Sequence, residues 1–205
     1  MSLYTDMATI LPEGEKGKAK LKHYTISKRE ADFSRLRMAM TGGREQAANE
    51  GTFAQLFVGG QLVMSDTDME RDTNRSFVHG ARGKVLVAGL GLILLPVLAS
   101  DKVEHVTVIE LSQDVINLVE PHIRRAAGKA AAEKLAVIQA DIFDWKPPKG
   151  EKWDVIYFDI WPDLCTTYLK QMTKLHRKFG RRKTEGGWMN SWGRYDLLRM
   201  QRRGW

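Results

Sequence analysis

Four short apolar segments, following one another at intervals of roughly 20–30 residues, constrain this chain more than any other feature. They are KVLVA over residues 84–88, VTVI over 106–109, LAVIQA over 135–140 and VIYF over 155–158. Each runs into a glycine pair or an acid: Gly89 and Gly91, Glu110, Asp141 and Asp159. Helical patterns fill the intervals. Strand-like runs alternating with helical ones read as repeated βαβ units, so the expected fold is α/β with a Rossmann-like parallel sheet. Ligands on such sheets bind at the carboxyl ends of the strands, where these glycines and acids fall.

The chain of 205 residues is long enough to bury a proper core, and is expected to form one domain with a small N-terminal extension. Its longest apolar stretch, residues 85–99, is interrupted by Gly89, Gly91 and Pro96. It falls short of the roughly 20 residues that cross a bilayer, so no membrane partner is expected. The first 22 residues are polar and lysine-rich, without the apolar core of a signal peptide. Cys165 is the only cysteine, and the five histidines are scattered, which leaves no disulfide framework or cysteine-based zinc site. A soluble cytoplasmic protein without a structural metal is the expectation.

Charge divides the chain. Residues 1–50 carry 9 Lys/Arg against 7 Asp/Glu, residues 51–163 carry 12 against 16, and residues 164–205 carry 11 against 2. The basic excess therefore sits in the last fifth, beside an acidic centre. Such a block suits a nucleic acid or another phosphate-bearing partner, and equally a solvated helix face.

Three parts are expected along the chain. Residues 1–50 hold a flexible or loosely docked arm over 1–22, then a helix over 26–40 with Phe33, Leu36 and Met40 at helical spacing and Gly42-Gly43 as its stop. Residues 51–83 hold a β-hairpin turning on Gly59-Gly60, followed by an acidic loop with Asp66, Asp68, Glu70 and Asp72. Residues 84–205 hold the Rossmann-like domain. Its later part is a helix over 164–182, a fifth strand over 188–192 and a last short helix over 195–203.

Gly89 and Gly91 lie between a strand and an apolar helix start, where absent side chains permit a tight turn and close approach to a ligand. Tight turns also use glycine for structural reasons alone. A dinucleotide fingerprint would place a third glycine or alanine where Leu94 stands, and a G-x-G-x-G form would place one at Ile93. The acids carry more. Glu110, 19 residues after Gly91, can accept both ribose hydroxyls of a nucleoside, or simply end a strand beside a helix. Asp141 can accept the hydrogens of an adenine amino group while Ile142 packs on the ring; its plain alternative is a turn aspartate. Asp159, delivered from a strand buried on both faces, would have its pKa raised by burial and suit a base or an amine-binding group; its plain alternative is a strand-end aspartate bonded to nearby backbone. Asp163 is a second candidate acid at the same strand end, or a cap for the next helix. Trp161 is read as a pocket wall or as packing.

With these residues in place, the chain resembles the class I S-adenosylmethionine (SAM)-dependent methyltransferases, and among them the spermidine synthase-like branch. The resemblance covers residues 52–192. It includes the LVMSD stretch at 62–66 together with Asp68, Glu70 and Asp72, which is similar to the segment preceding the glycine motif in that branch. It implies SAM as cofactor, with Gly89 and Gly91 facing it, Glu110 on the ribose, and Asp141 and Ile142 at the adenine. It implies Asp159 where aminopropyltransferases of the branch keep an acidic base. Departures are Ile93 for the third glycine, Leu92 where aminopropyltransferases carry an acid, and Val87 where many methyltransferases place an acid. The acidic loop is the expected substitute at the amino acid end of SAM.

The function implied is SAM-dependent methyl transfer to a small-molecule or nucleic-acid acceptor. The alternatives are an aminopropyltransferase, or a non-catalytic protein that binds SAM or nucleic acid. The family adds two strands beyond the fifth, so a sheet edge needs cover, from the hairpin or from a second subunit in a homodimer.

Overall fold

The computed structural model describes residues 6–40 and 47–203. Two sheets make up its framework. The first contains β1 (Gly14–Lys16), β2 (Ala19–Ile26), β3 (Gly51–Val58) and β4 (Gln61–Ser65), antiparallel and in that order, with α1 (Lys28–Met40) between β2 and β3. Helix α2 (Asp68–Gly80) leads into the second sheet. That sheet contains β5 (Gly83–Ala88), β6 (Val103–Glu110), β7 (Leu135–Gln139), β8 (Trp153–Phe158) and β9 (Lys183–Ser191). The connections include α3 (Leu94–Leu98), α4 (Gln113–Ala127), α5 (Lys129–Ala132) and α6 (Leu169–Phe179), and α7 (Arg194–Arg202) follows β9.

All five strands of the second sheet are parallel, in the order β7-β6-β5-β8-β9. The order reverses between β5 and β8, the switch point at which ligands of open α/β sheets bind. Each central strand is buried on both faces, which is why it reads as a continuous apolar run. Val85, Val87, Val155 and Tyr157 pack with α4 and with Leu21, Ala54 and Leu56 of the first sheet. Leu86, Ala88, Ile156 and Phe158 pack on the other side, against Leu169, Met172, Leu175 and Phe179 of α6. Helices α2, α3 and α4 share that first cluster, and β1 and β2 of the antiparallel sheet pack on α4.

The N-terminal arm is corrected. Its residues form a 3-10 turn (Met7–Thr9), β1 and the start of β2, with Met7, Leu11, Ala19 and Leu21 buried. The attachment is polar as well as apolar: buried Asp66 accepts the amides of Met7 (2.9 Å) and Ala54 (2.6 Å) and pairs with Arg71 (3.0 Å). A lysine-rich stretch is compatible with this because Lys20 and Lys22 alternate with Ala19 and Leu21 and stay exposed.

The hairpin turns on Gly59 and Gly60, both at positive φ. The acidic loop is corrected to a helix, α2, whose first turn holds Asp68 and Glu70, where carboxylates suit the positive helix end. Helix α1 forms close to its expected bounds, but its apolar residues are not core: Phe33, Leu36 and Met40 are 65%, 58% and 80% exposed. The Gly42-Gly43 stop lies outside the described residues. The helix expected over 164–182 is α6 with a 3-10 turn at each end. Among the described residues, strand β9 pairs with β8 alone, and the hairpin pairs with β2 instead of covering that edge. Among the described residues no helix is long and apolar enough to cross a membrane.

Candidate active site

A cleft of about 420 Å³ opens at the carboxyl ends of β5, β6, β7 and β8. Its far wall is the hairpin, through Leu56, Val58, Val63 and Met64, and its other side includes Ile160, Trp161, Tyr168 and Gln171. The structure brings Gly89, Gly91, Glu110, Asp141, Ile142 and Asp159 together on its lining. Asp163 is not brought there. It is exposed, and the helical turns that follow begin at Thr166 without its side chain as a cap.

The two glycines serve different ends. Gly89 has φ +99°, and a Cβ there would overlap the backbone carbonyl oxygen of Asp159. It therefore lets β5 and β8 meet at the switch point. Gly91 has an ordinary backbone, and a Cβ on it would lie 2.7 Å from Met64 Cε and 3.5 Å from Asp159 Oδ2. The next amide, of Leu92, donates to the Met64 thioether (2.8 Å).

Glu110, ending β6, accepts the Leu90 amide on Oε2 (2.7 Å) and the Ser112 amide on Oε1 (2.8 Å). It so ties the glycine loop to the start of α4, where Ser112 caps the helix through Val115. Each carboxylate oxygen has acceptor capacity beyond one bond, so this structural use leaves room for a ligand's hydroxyls. Asp141 accepts the Phe143 amide on Oδ1 (2.8 Å), and its carbonyl accepts the Trp145 amide (2.7 Å), which fixes the turn after β7. No described residue donates to its Oδ2.

Asp159 is the anomalous group. Its amide is held by the Ala88 carbonyl (2.9 Å), while Oδ2 is shut off from solvent without a hydrogen bond. Burial first, and the neighbouring Glu70 second, push its pKa up to about 8. Glu70 accepts the amide and hydroxyl of Ser65, yet burial raises it to about 7. An unsatisfied buried carboxyl is costly, and such groups cluster where a site awaits a ligand. No lysine, arginine or histidine lines the cleft among the described residues, whereas Glu110, Asp141 and Asp159 do.

Met64, Tyr168 and Gln171 were absent from the expected site. Met64 and Gln171 are distant in sequence from the strand ends, and only the folding of the hairpin and α6 onto the sheet delivers them. Trp161 is both wall and packing: it is buried, and its indole N–H donates to Gln171 Oε1 (2.9 Å).

Comparison with known proteins adds to this geometry. No family model matches the chain. A polyamine aminopropyltransferase from Streptomyces coelicolor is 32% identical over 127 residues, 58% of this chain and 24% of that protein. The chain thus matches about a quarter of that curated relative's length. Among solved structures, spermidine synthase from Thermotoga maritima has a TM-score of 0.51 and 16% identity, covering 88% of this chain and 55% of that one. The CcbJ methyltransferase from Streptomyces caelestis has a TM-score of 0.44 and 17% identity, covering 58% of this chain and 47% of that one. The likeness to spermidine synthase shows a Rossmann-like fold. A match over 88% of the chain must extend beyond the parallel sheet and into the N-terminal one, which ties the spermidine synthase likeness to both sheets.

Proposed function

We propose that this chain binds SAM in the cleft and transfers its methyl group to an acceptor. The observation that carries the reading is the buried, unbonded Oδ2 of Asp159 beside Gly91, in a cleft with acids at the ends of β6, β7 and β8 and no cation among the described residues. SAM, when bound, would supply a methyl group on a positively charged sulfur. Glu110 would hold the ribose hydroxyls, Asp141 the adenine amino group, and Ile142 the face of the ring. Gly89 and Gly91 keep the loop between β5 and α3 low enough for close approach.

Asp159 would hold the ammonium group of the ligand or take a proton from the acceptor at Oδ2. A cation in the cleft favours the ionised carboxylate and so lowers the raised pKa towards working range. Glu70, beside it and also raised, does not line the cleft and would act on the site only through Asp159. Asp163 has no part in this proposal because it stands outside the cleft.

Aminopropyl transfer is the second reading. It is favoured by the cation-free lining and by the 32% identity to a polyamine aminopropyltransferase. Decarboxylated SAM carries one more net positive charge than SAM, which such a lining would accept. Calorimetric titration with SAM and with decarboxylated SAM, repeated on Glu110→Ala, tests the site. Binding of SAM that weakens at least tenfold in the variant, followed by transfer of labelled methyl to an acceptor, supports methyl transfer. Binding of decarboxylated SAM alone supports the second reading, and binding of neither overturns both.

A further inference from the structure

We infer that the outward face of α6 and the 3-10 turn after it is the docking surface for a single-stranded nucleic acid, one unit of which enters the neighbouring cleft. This deepens the methyl-transfer reading and rests on it for the identity of the acceptor; the surface itself stands on separate observations.

Helix α6 buries Leu169, Met172, Leu175 and Phe179 against the sheet. Its opposite side presents Lys170, Lys174, Arg177 and, in the following turn, Arg181, all exposed. Their spacing of four, three and four residues puts them on one stripe, roughly 16 Å long at the helical rise. Residues 169–179 contain no acid, and none of these four bases is in an ion pair among the described residues. A row of unneutralised cations at this spacing fits the regular charges of a nucleic-acid backbone.

The stripe begins at the cleft mouth. Gln171, on the first turn of α6, and Tyr168, just before it, line the cleft. Lys174 lies 5.4 Å from the ring of Phe143, another lining residue, and Lys178 donates to the carbonyls of Ile142 (3.1 Å) and Phe143 (2.8 Å). The opposing charges then sort the parts of the ligand. Phosphates are drawn to α6 and repelled by Glu110 and Asp141, so only an uncharged base or sugar is admitted. Trp161, Tyr168 and Phe143 offer aromatic surface to an unstacked base. A base inside a duplex could not reach the cleft without leaving its stack, which selects a single strand. The outward face has no apolar side chain to insert into a lipid surface.

The test is fluorescence anisotropy of a labelled 12-nucleotide single strand of mixed sequence, from 50 to 200 mM NaCl. The protein is compared with the variant carrying Lys170→Ala, Lys174→Ala, Arg177→Ala and Arg181→Ala. Four phosphate contacts on a single strand predict a log–log salt slope near −3, hence an affinity loss of about 50-fold across that range. The variant is expected to bind at least tenfold more weakly at 50 mM NaCl with a slope near zero, while its thermal midpoint and its calorimetric titration with SAM stay unchanged. Absence of binding at 50 mM NaCl, or an unchanged slope in the variant, overturns the proposal. So does equal competition by polyglutamate of matched charge, or tighter binding of the matching duplex. If SAM fails to bind while the strand binds as described, the methyl-transfer reading falls and the surface stands.

Discussion

Three glycines allow the cost of a turn to be separated from the cost of a contact. Gly60, in the hairpin, has φ +86° and no heavy atom within 4 Å of a Cβ built on it. Gly60→Ala therefore carries the backbone cost alone, about 1–2 kcal/mol. Gly89 has φ +99°, and its added methyl would also meet the Asp159 carbonyl oxygen, a backbone atom held in the sheet. Overpacking of that kind costs a further 1–3 kcal/mol or so, giving roughly 2–5 kcal/mol for Gly89→Ala. Gly91→Ala has no backbone penalty, and the nearest atoms are the flexible end of Met64 at 2.7 and 3.0 Å, so about 1 kcal/mol is expected. Its methyl would nonetheless stand 3.5 Å from Asp159 Oδ2, inside the cleft. Urea unfolding of the three variants should rank Gly89 worst, then Gly60, then Gly91. Calorimetry with SAM should rank Gly91→Ala at least tenfold weaker than Gly60→Ala. If Gly89→Ala costs no more than Gly60→Ala, the close approach of β5 and β8 is not what the glycine serves.

Two further outcomes can be checked on the purified protein. With its pKa raised to about 8, Asp159 keeps in the folded state a proton that the unfolded chain releases near pH 4. The stability this contributes is complete below pH 4 and is lost as pH rises towards 8. Glu70, raised to about 7, acts in the same sense. Urea unfolding at pH 5, 6.5 and 8 should therefore show stability falling with pH, and falling less steeply in Asp159→Asn; parallel profiles would refute the assignment. Asp66→Ala removes the acceptor shared by the Met7 and Ala54 amides together with a buried partner of Arg71, a loss of about 3–5 kcal/mol. Its urea midpoint should drop accordingly, and an unchanged midpoint would show that the N-terminal strands hold by apolar contacts alone.

The parallel sheet was legible because its strands are buried on both faces, and a run such as VLVA at 85–88 has no other economical reading. The same property placed Gly89, Glu110, Asp141 and Asp159 in order, since a residue ending such a strand must emerge at one rim of the sheet. What was lost lay where the signal is half polar. Residues 19–22 alternate apolar and lysine, a period-two pattern that a count of lysines conceals. Residues 66–72 were read by their acids, although Phe77 and Val78 farther along give that segment a buried side and make it a helix. Helix α1 was legible as a helix but not as an exposed one, because spacing alone does not say whether a partner faces it. Asp163 differs from Asp159 by four residues, yet it lies in a bend and is exposed to solvent.

The cleft is assembled from two sheets that have no strand in common. Its hairpin wall comes from residues 56–64 and its opposite side from residues 159–171, so neither sheet folded alone would present a complete binding surface. Apparent affinity is then the intrinsic affinity multiplied by the fraction of molecules in which the sheets are docked. A substitution far from the cleft that loosens the docking would weaken binding without altering a single lining residue. In return, any occupant of the cleft acts as a clasp between the two halves, and its binding free energy is returned to the fold as resistance to their separation.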